Sequence, residues 1–402
     1  MTTIDFSYIV DSEADYANIV QLMSDFKRET GIEVNIKRME WGDAWQQLIT
    51  IATKGVGADI SHVGSTWVSS LVVMDALRPI SKQLVNRIGG EQVFVHSTWS
   101  NVFSTEHRDV YGVPLSAYSY VVAYRKDLLA KAGLHSGSAF ATPAALEATV
   151  QKLDALNAVE NTWLMPIAPH PFNDIVHMAA SWVWSSGGHF MDNRGGQVLF
   201  NSPATLAGLK SYLALLRRGP KLDYLGQNTC MEMLLNGKAA AVITDARAVM
   251  VAAQNRAPNI ENIGAASLMG IPWTGGGSVV VWRHTHGYPD RLEASFKLVE
   301  FLARKQTMLE FARNSSYTMP SRTDALDELF PPDHILRAVM LQLVSTGRSY
   351  RPIPLWHRIE YQFGEELQRV ANELMQNPKL DLDTTVTRAM TSLSERLNLT
   401  LG

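Results

Sequence analysis

The strongest constraint on this chain is the order of periodicities in its first 64 residues. Residues 6–10 are a short apolar run of strand length. Over 15–30, Ile19, Val20, Met23 and Phe26 recur at helical spacing, and Gly31 provides the stop. Ile32, Val34 and Ile36 then alternate with polar residues, as in a strand. Residues 43–54 return to helical spacing, with Trp45, Leu48, Ile49 and Ala52 on one side, and 59–63 read as a third strand. Strands alternating with helices require parallel pairing through crossover connections, which makes this an α/β fold.

A second alternating region follows Pro114. It holds a strand at 120–124, a helix at 142–158 with Pro143 in its first turn, and helices at 174–184 and 203–217. Strands at 239–244 and 278–282 and a helix at 291–303 come next, and from Asp333 the pattern is mostly helical. Two Gly/Pro-rich segments, 111–114 and 270–277, interrupt this order. Neither is long or polar enough to be a loose linker. Two short crossings imply domains that are each discontinuous in sequence: 1–113 with 278–320, and 114–277 with 321–402.

A length of 402 residues suits two such domains, and 46% apolar with 19% charged residues is a globular composition. The net charge of −3 gives no basic excess of the kind that nucleic-acid binding requires. A lone cysteine, Cys230, forms neither an internal disulfide nor a thiolate metal site, and its apolar surroundings read as a buried small side chain. No run reaches the roughly 20 apolar residues of a membrane span. The first residues lack the basic start and apolar middle of an export signal. Two readings fit that start: a cytosolic protein, or an exported one whose signal is removed.

Several motifs then fall in a familiar order. They are Phe26 to Val34, Trp41 to Leu48, Ala58-Asp59-Ile60, Leu77 to Ile80, Tyr111-Gly112-Val113-Pro114, and Tyr124 to Leu129 with Ala132-Gly133. Gly187-Gly188, Phe200 to Pro203, Asn236 to Ala240, Gly275 to Gly277 and Pro320-Ser321-Arg322 complete the series. Together they resemble the extracellular solute-binding proteins of bacterial ABC importers, in the sugar-binding group that includes maltose-binding protein. Arg125 departs from the pattern, where Asn is more usual. Each motif alone is common; their joint order along most of the chain carries the resemblance. It implies two discontinuous α/β lobes joined by a hinge, as in type II periplasmic binding proteins, with a mostly helical C-terminal part. It also implies a monomer, periplasmic or extracellular, either free or lipid-anchored, that captures a small carbohydrate between its lobes for a membrane permease. Neither a cofactor nor a metal is expected.

A sugar ligand needs flat apolar surfaces for its C–H faces and polar groups for its hydroxyls. The chain offers 10 Trp and 12 Tyr. Trp67 follows a strand directly, at the end where α/β sheets bind ligands, and the resemblance places Ser65 and Thr66 there too; helix capping by either is the competing role. Trp41 and Asp43 follow another strand, with Asp43 equally suited to capping. Trp45 falls on the core side of its helix. Glu13 lies in a loop that the resemblance places near the ligand. In the second lobe the candidates are Tyr118, just past the first crossing, and Asp245 with Arg247, after the strand at 239–244. Of two tryptophans on opposite sides of one helix, Trp182 is the candidate and Trp184 the packing residue. Trp273, Gly276 and Gly277 lie at the second crossing, where glycines let backbone amides approach a ligand or serve the hinge alone. Trp356 is placed near the ligand by the resemblance only.

Other signals carry less. Gly275 to Ser278 lacks the Gly-Lys-Ser/Thr of a phosphate loop, and His284 with His286 lacks a third metal ligand. No serine elbow or zinc helix motif is present. Two alternatives remain open at this level: a different solute, such as a polyol phosphate or sulfonate or a polyamine, and a carbohydrate-processing hydrolase.

Overall fold

A computed structural model describes residues 2–167, 173–220, 224–314 and 319–401. The strands that organise it are β1 (Thr3–Ile9), β2 (Glu33–Met39), β3 (Ile60–Gly64), β4 (Val113–Pro114), β5 (Tyr120–Arg125), β6 (Asn161–Leu164), β7 (Ala239–Asp245), β8 (Ile263–Ser267) and β9 (Gly277–Val281). The helices used below are α1 (Glu13–Thr30), α2 (Trp41–Lys54), α3 (Asn173–Ser185), α4 (Pro203–Leu216), α5 (Ala246–Gln254), α6 (Trp356–Gln376) and α7 (Leu382–Leu401). The chain divides into two compact units. One comprises Met1–Tyr118, Thr274–Pro331 and Ser349–His357; the other comprises Ser119–Trp273, Pro332–Arg348 and Arg358–Gly402.

In the first unit, five strands form a sheet in the order β2-β1-β3-β9-β4. β1 pairs in parallel with β2 and β3, while β9 runs antiparallel to β3 and β4. All of β3 and β9 is buried, as a sheet covered on both faces requires. Phe6, Phe26, Leu48, Ile60, Val280 and Leu298 belong to the core that this sheet shares with its helices. The crossover helices start where local chemistry allows. Ser12 Oγ accepts the N–H of Asp15 at 3.1 Å, which starts α1 at Glu13. Gly31, at φ 71°, closes it in the left-handed region. α2 starts at Trp41, two residues before the apolar periodicity places it.

The second unit holds a four-stranded sheet in the order β8-β5-β7-β6. β7 is parallel to β6, and β5 is antiparallel to both β7 and β8. β7 begins Ala-Ala-Ala and is buried along its whole length, so helices pack closely on it. Its last residue, Asp245, stands opposite Tyr120, the first residue of β5. The carboxyl ends of β6, β7 and β8 therefore gather at the edge where β5 begins. Cys230 is fully buried in the helix Gln227–Leu235, and burial pushes its thiol up to about 12. Past residue 333 the chain is mostly helical, with Arg337–Thr346, α6 and α7.

Candidate functional site

In the first unit, the carboxyl ends of β1, β2 and β3 carry an aromatic cluster. The chain leaves β3 through a single 3-10 turn, Ser65–Trp67. That turn sets the Trp67 ring edge-on to Trp41, 5.6 Å away, and 5.5 Å from Trp45. Trp45 in turn packs 4.1 Å from His357, so it stands on the rim of the core rather than deep inside it. Trp41 is 38% exposed, and its indole N–H donates to Asp11 Oδ1 at 2.6 Å. An indole fixed by a carboxylate while its face stays open is a pre-oriented apolar platform. Beneath the cluster, His62 stacks on Tyr8 at 4.9 Å, and burial holds its imidazole down to about 4.

The other candidates in this unit have local roles. Asp43 Oδ1 accepts the Glu40 N–H at 3.3 Å in the first turn of α2, which is the capping role. Glu13 is exposed and pairs with Arg38 at 2.6 Å, and Arg38 also holds Glu40 at 2.8 Å. The Ser65 N–H donates to the Gly276 carbonyl at 3.0 Å, and Thr66 stands half-buried beside it. Tyr118 and Gly275 exchange two backbone hydrogen bonds of 2.9 Å. Gly276 has φ 139°, and a Cβ there would run into the Ser116 carbonyl; a Cβ on Gly277 would run into the His62 ring. Both glycines thus answer to packing inside this unit. Trp356 is buried and stacked on Tyr350 at 4.4 Å. Its neighbour His357 joins the Trp41–Trp67 cluster.

In the second unit the groups converge where β5 begins. The Tyr120 hydroxyl donates to Asp174 Oδ1 at 2.8 Å. Burial raises the Asp174 carboxyl above its ordinary range, and the charge of Asp245 adds to this, against the hydrogen bond from Tyr120 and the charge of Arg247. One turn along α3, His177 lies on the Trp273 indole with ring centres 3.9 Å apart and planes 11° from parallel. Tyr120 lies 5.8 Å from the same indole. Ser181 Oγ accepts the Trp273 N–H at 3.0 Å, and Ser119 Oγ donates to the Trp273 carbonyl at 2.9 Å, so the backbone under the indole is fixed at both ends. Burial brings His177 down to about 3, although Glu360 Oε1 stands 3.7 Å from its Nδ1. Asp245 is fully buried, caps α5 through the Ala248 N–H at 2.6 Å, and pairs with Arg247 at 3.1 Å.

Both tryptophans of α3 are buried, Trp184 edge-on to Phe190 at 5.9 Å. Trp182 is fully buried, edge-on to Tyr212 of α4 at 5.1 Å. Trp184 carries the Arg348 guanidinium on its ring at 4.9 Å. The face of α3 that packs against α4 takes Trp182, so Trp182 is the packing residue here. Sequence reasoning also missed Tyr120, Asp174 and His177. The spacing Asp174, His177, Ser181, Trp184 is the helical signal that puts Asp174 and His177 on one face of α3.

The assembled groups are aromatic faces, carboxylates, one paired guanidinium and neutral imidazoles, an inventory suited to holding a polar molecule. Among the described residues no group of three or more His, Cys, Asp or Glu is placed to hold a metal ion, and no helix is long and apolar enough to cross a membrane.

Comparison with known proteins agrees with this architecture. A putative binding protein of Brucella abortus (strain 2308) is 25% identical over 341 residues, covering 82% of this chain and 78% of its own length. The sugar-binding protein MalE of Xanthomonas citri superposes with a TM-score of 0.80 at 21% identity, over 99% of this chain and 98% of its own. An ABC transporter solute-binding protein of Thermotoga lettingae, bound with alpha-D-tagatose, gives 0.77 at 18% identity over 100% of both chains. One of Agrobacterium vitis with bound D-mannitol gives 0.72 at 18% identity, over 100% of this chain and 99% of its own. The sequence model of the bacterial extracellular solute-binding proteins matches residues 21–335, which is most of the chain, and to that family this protein belongs.

Proposed function

We propose that this chain is the solute-capturing subunit of an ABC importer and that its ligand is a small sugar or polyol, bound reversibly and handed unchanged to a membrane permease. It works as a monomer outside the cytoplasmic membrane. The observation that carries this reading is the platform in the second unit, where Trp273 is stacked on His177 and flanked by Tyr120 and Asp174. Its flat apolar face suits sugar C–H groups, and the carboxylate beside it suits hydroxyl donors. The first unit offers a partly exposed indole, Trp41, with Thr66 and Trp67 beside it. Sugar and polyol ligands in the solved relatives support the same class. In the second unit the proposed contacts are Tyr120, Asp174, His177, Asp245, Arg247 and Trp273.

Hydrogen bonds contributing about 0.5–1.5 kcal/mol each, with burial of the sugar faces, reach micromolar affinity, roughly −8 kcal/mol. The test is a thermal-shift screen against sugars and polyols. A ligand present at 100 times its Kd stabilises by about 2.7 kcal/mol. The expected result is a saturable shift with at least one of them and recovery of that compound unaltered after prolonged incubation. Absence of any shift across the panel, or release of a cleaved or rearranged product, defeats the reading.

A further inference from the structure

The face of α3 that carries Asp174 and His177 continues past them. Asp174, His177, Ser181 and Trp184 are spaced three, four and three residues apart, so they form one stripe. At 1.5 Å rise per residue the stripe is about 15 Å long. Trp273 rests along its middle, its ring on His177 and its N–H on Ser181. The residue that pairs with Trp273 across a parallel bridge is Arg348, whose own N–H donates to the Pro272 carbonyl at 2.9 Å. That bond fixes the Arg348 backbone at the far end of the stripe.

The Arg348 side chain differs from four of the other buried or partly buried arginines. Arg125, Arg247, Arg291 and Arg322 each hold a carboxylate at 2.6–3.1 Å. Arg348 is half-buried and has no carboxylate partner among the described residues. Its guanidinium carbon lies 4.9 Å over the Trp184 ring, and Nη2 donates to His189 Nδ1 at 3.1 Å. The remaining donors, Nε and Nη1, reach no protein acceptor among the described residues. Burial lowers its pKa with no anion nearby to offset the effect. A guanidinium placed over an indole, partly out of water and with donors left over at Nε and Nη1, is prepared for an oxyanion.

We propose that Arg348, seated on Trp184 beside His189, is an oxyanion subsite at the end of this stripe, and that the solute is an acidic carbohydrate derivative: a polyhydroxylated chain or ring bearing a carboxylate or a phosphate ester. This rests on the carbohydrate reading above and narrows it. The Asp174 end takes hydroxyl protons, the Trp273–His177 platform takes the apolar face, and the Arg348 end takes the charge.

The test is calorimetric titration with matched sets, each comprising a hexose or hexitol, its carboxylic acid and its terminal phosphate, with inorganic phosphate alone as a further arm. For at least one set, wild type is expected to bind the acid or the phosphate about tenfold or more tighter than the neutral parent, with an advantage that shrinks as salt is raised. Arg348→Met, which keeps an apolar chain on Trp184, is expected to remove that advantage and leave affinity for the neutral parent within about twofold. Arg348→Lys retains the charge without the fork, keeps part of the advantage, and guards against misfolding of the Met variant. Carboxylate and phosphate arms separate the two ester and acid classes, and binding of inorganic phosphate that Arg348→Met abolishes identifies the free ion as an occupant of the same subsite. Equal affinity across every set in wild type, or a preference that survives Arg348→Met, overturns the subsite and leaves the carbohydrate reading standing. Failure of every sugar and polyol to bind wild type overturns that reading, and this inference falls with it.

Discussion

The imidazole of His177 lies flat against the Trp273 indole, tilted by only 11°. A stacked pair of this kind is worth about 0.5–1.5 kcal/mol beyond the area it buries, and it fixes the orientation of the indole. Replacing Trp273 by Ala removes that platform. Affinity for the sugar or polyol found in the thermal-shift screen is expected to drop tenfold or more by calorimetry, with far-UV circular dichroism retained and a lower Tm because the residue is buried. Unchanged affinity would mean that the indole only packs.

Asp174 is expected to trade stability for binding. Its carboxyl is raised above the ordinary range mainly by burial, so at neutral pH the ionised form costs folding energy. Asp174→Asn removes the charge and retains an acceptor for the Tyr120 hydroxyl. The ligand-free variant should melt higher than wild type at pH 7, by about 1 kcal/mol, and bind ligand at least several-fold more weakly. A variant that melts lower would show that the ionised carboxylate stabilises the unit.

Three buried imidazoles should govern the acid limb of stability. His62 and His357 are held down to about 4 and His177 to about 3, in each case by burial. The folded state binds these protons less readily than the unfolded chain, whose histidines titrate near 6.5. Their stabilising contribution is therefore present above pH 6.5 and is lost as pH falls from there through about 4 for His62 and His357 and about 3 for His177. One pKa unit corresponds to about 1.4 kcal/mol, so His62 alone contributes on the order of 3 kcal/mol across that window. Urea midpoints between pH 7.5 and 4 should fall steeply in wild type and less steeply in His62→Gln. Parallel curves would place the acid sensitivity elsewhere.

Gly277 is predicted to be intolerant of a side chain because its missing Cβ is the space that the His62 ring fills. Gly277→Ala should cost roughly 1–3 kcal/mol, the usual penalty for overpacking. The double variant Gly277→Ala with His62→Ala should lose less than the sum of the single losses, which chemical denaturation of all four proteins would measure. Strict additivity would place the strain in the β9 backbone instead.

Much of the fold was legible because period and punctuation agree. The apolar alternation of β2, the helical spacing of Ile19, Met23 and Phe26, and the stop at Gly31 all point to the elements observed. What escaped the sequence depends on tertiary partners. Trp182 and Trp184 are equivalent until α4 claims one side of α3. Gly276 and Gly277 read as a chain break, but their requirement comes from Ser116 and His62, far away in sequence. His357 and Arg348 reach their clusters through the path of residues 337–357, which no local pattern encodes. Asp174 and His177 were recoverable from helical spacing alone, had the face been drawn from Trp184 rather than Trp182.

The sealed position of Cys230 has a practical result. Its side chain is wholly buried, and its thiol is pushed up to about 12, so almost none of it is thiolate near neutrality. With no other native sulfhydryl in the sequence, a cysteine introduced beside Trp41 or Arg348 would be the one that maleimide dyes find. A wild-type background this silent makes the protein a ready scaffold for a fluorescent solute sensor.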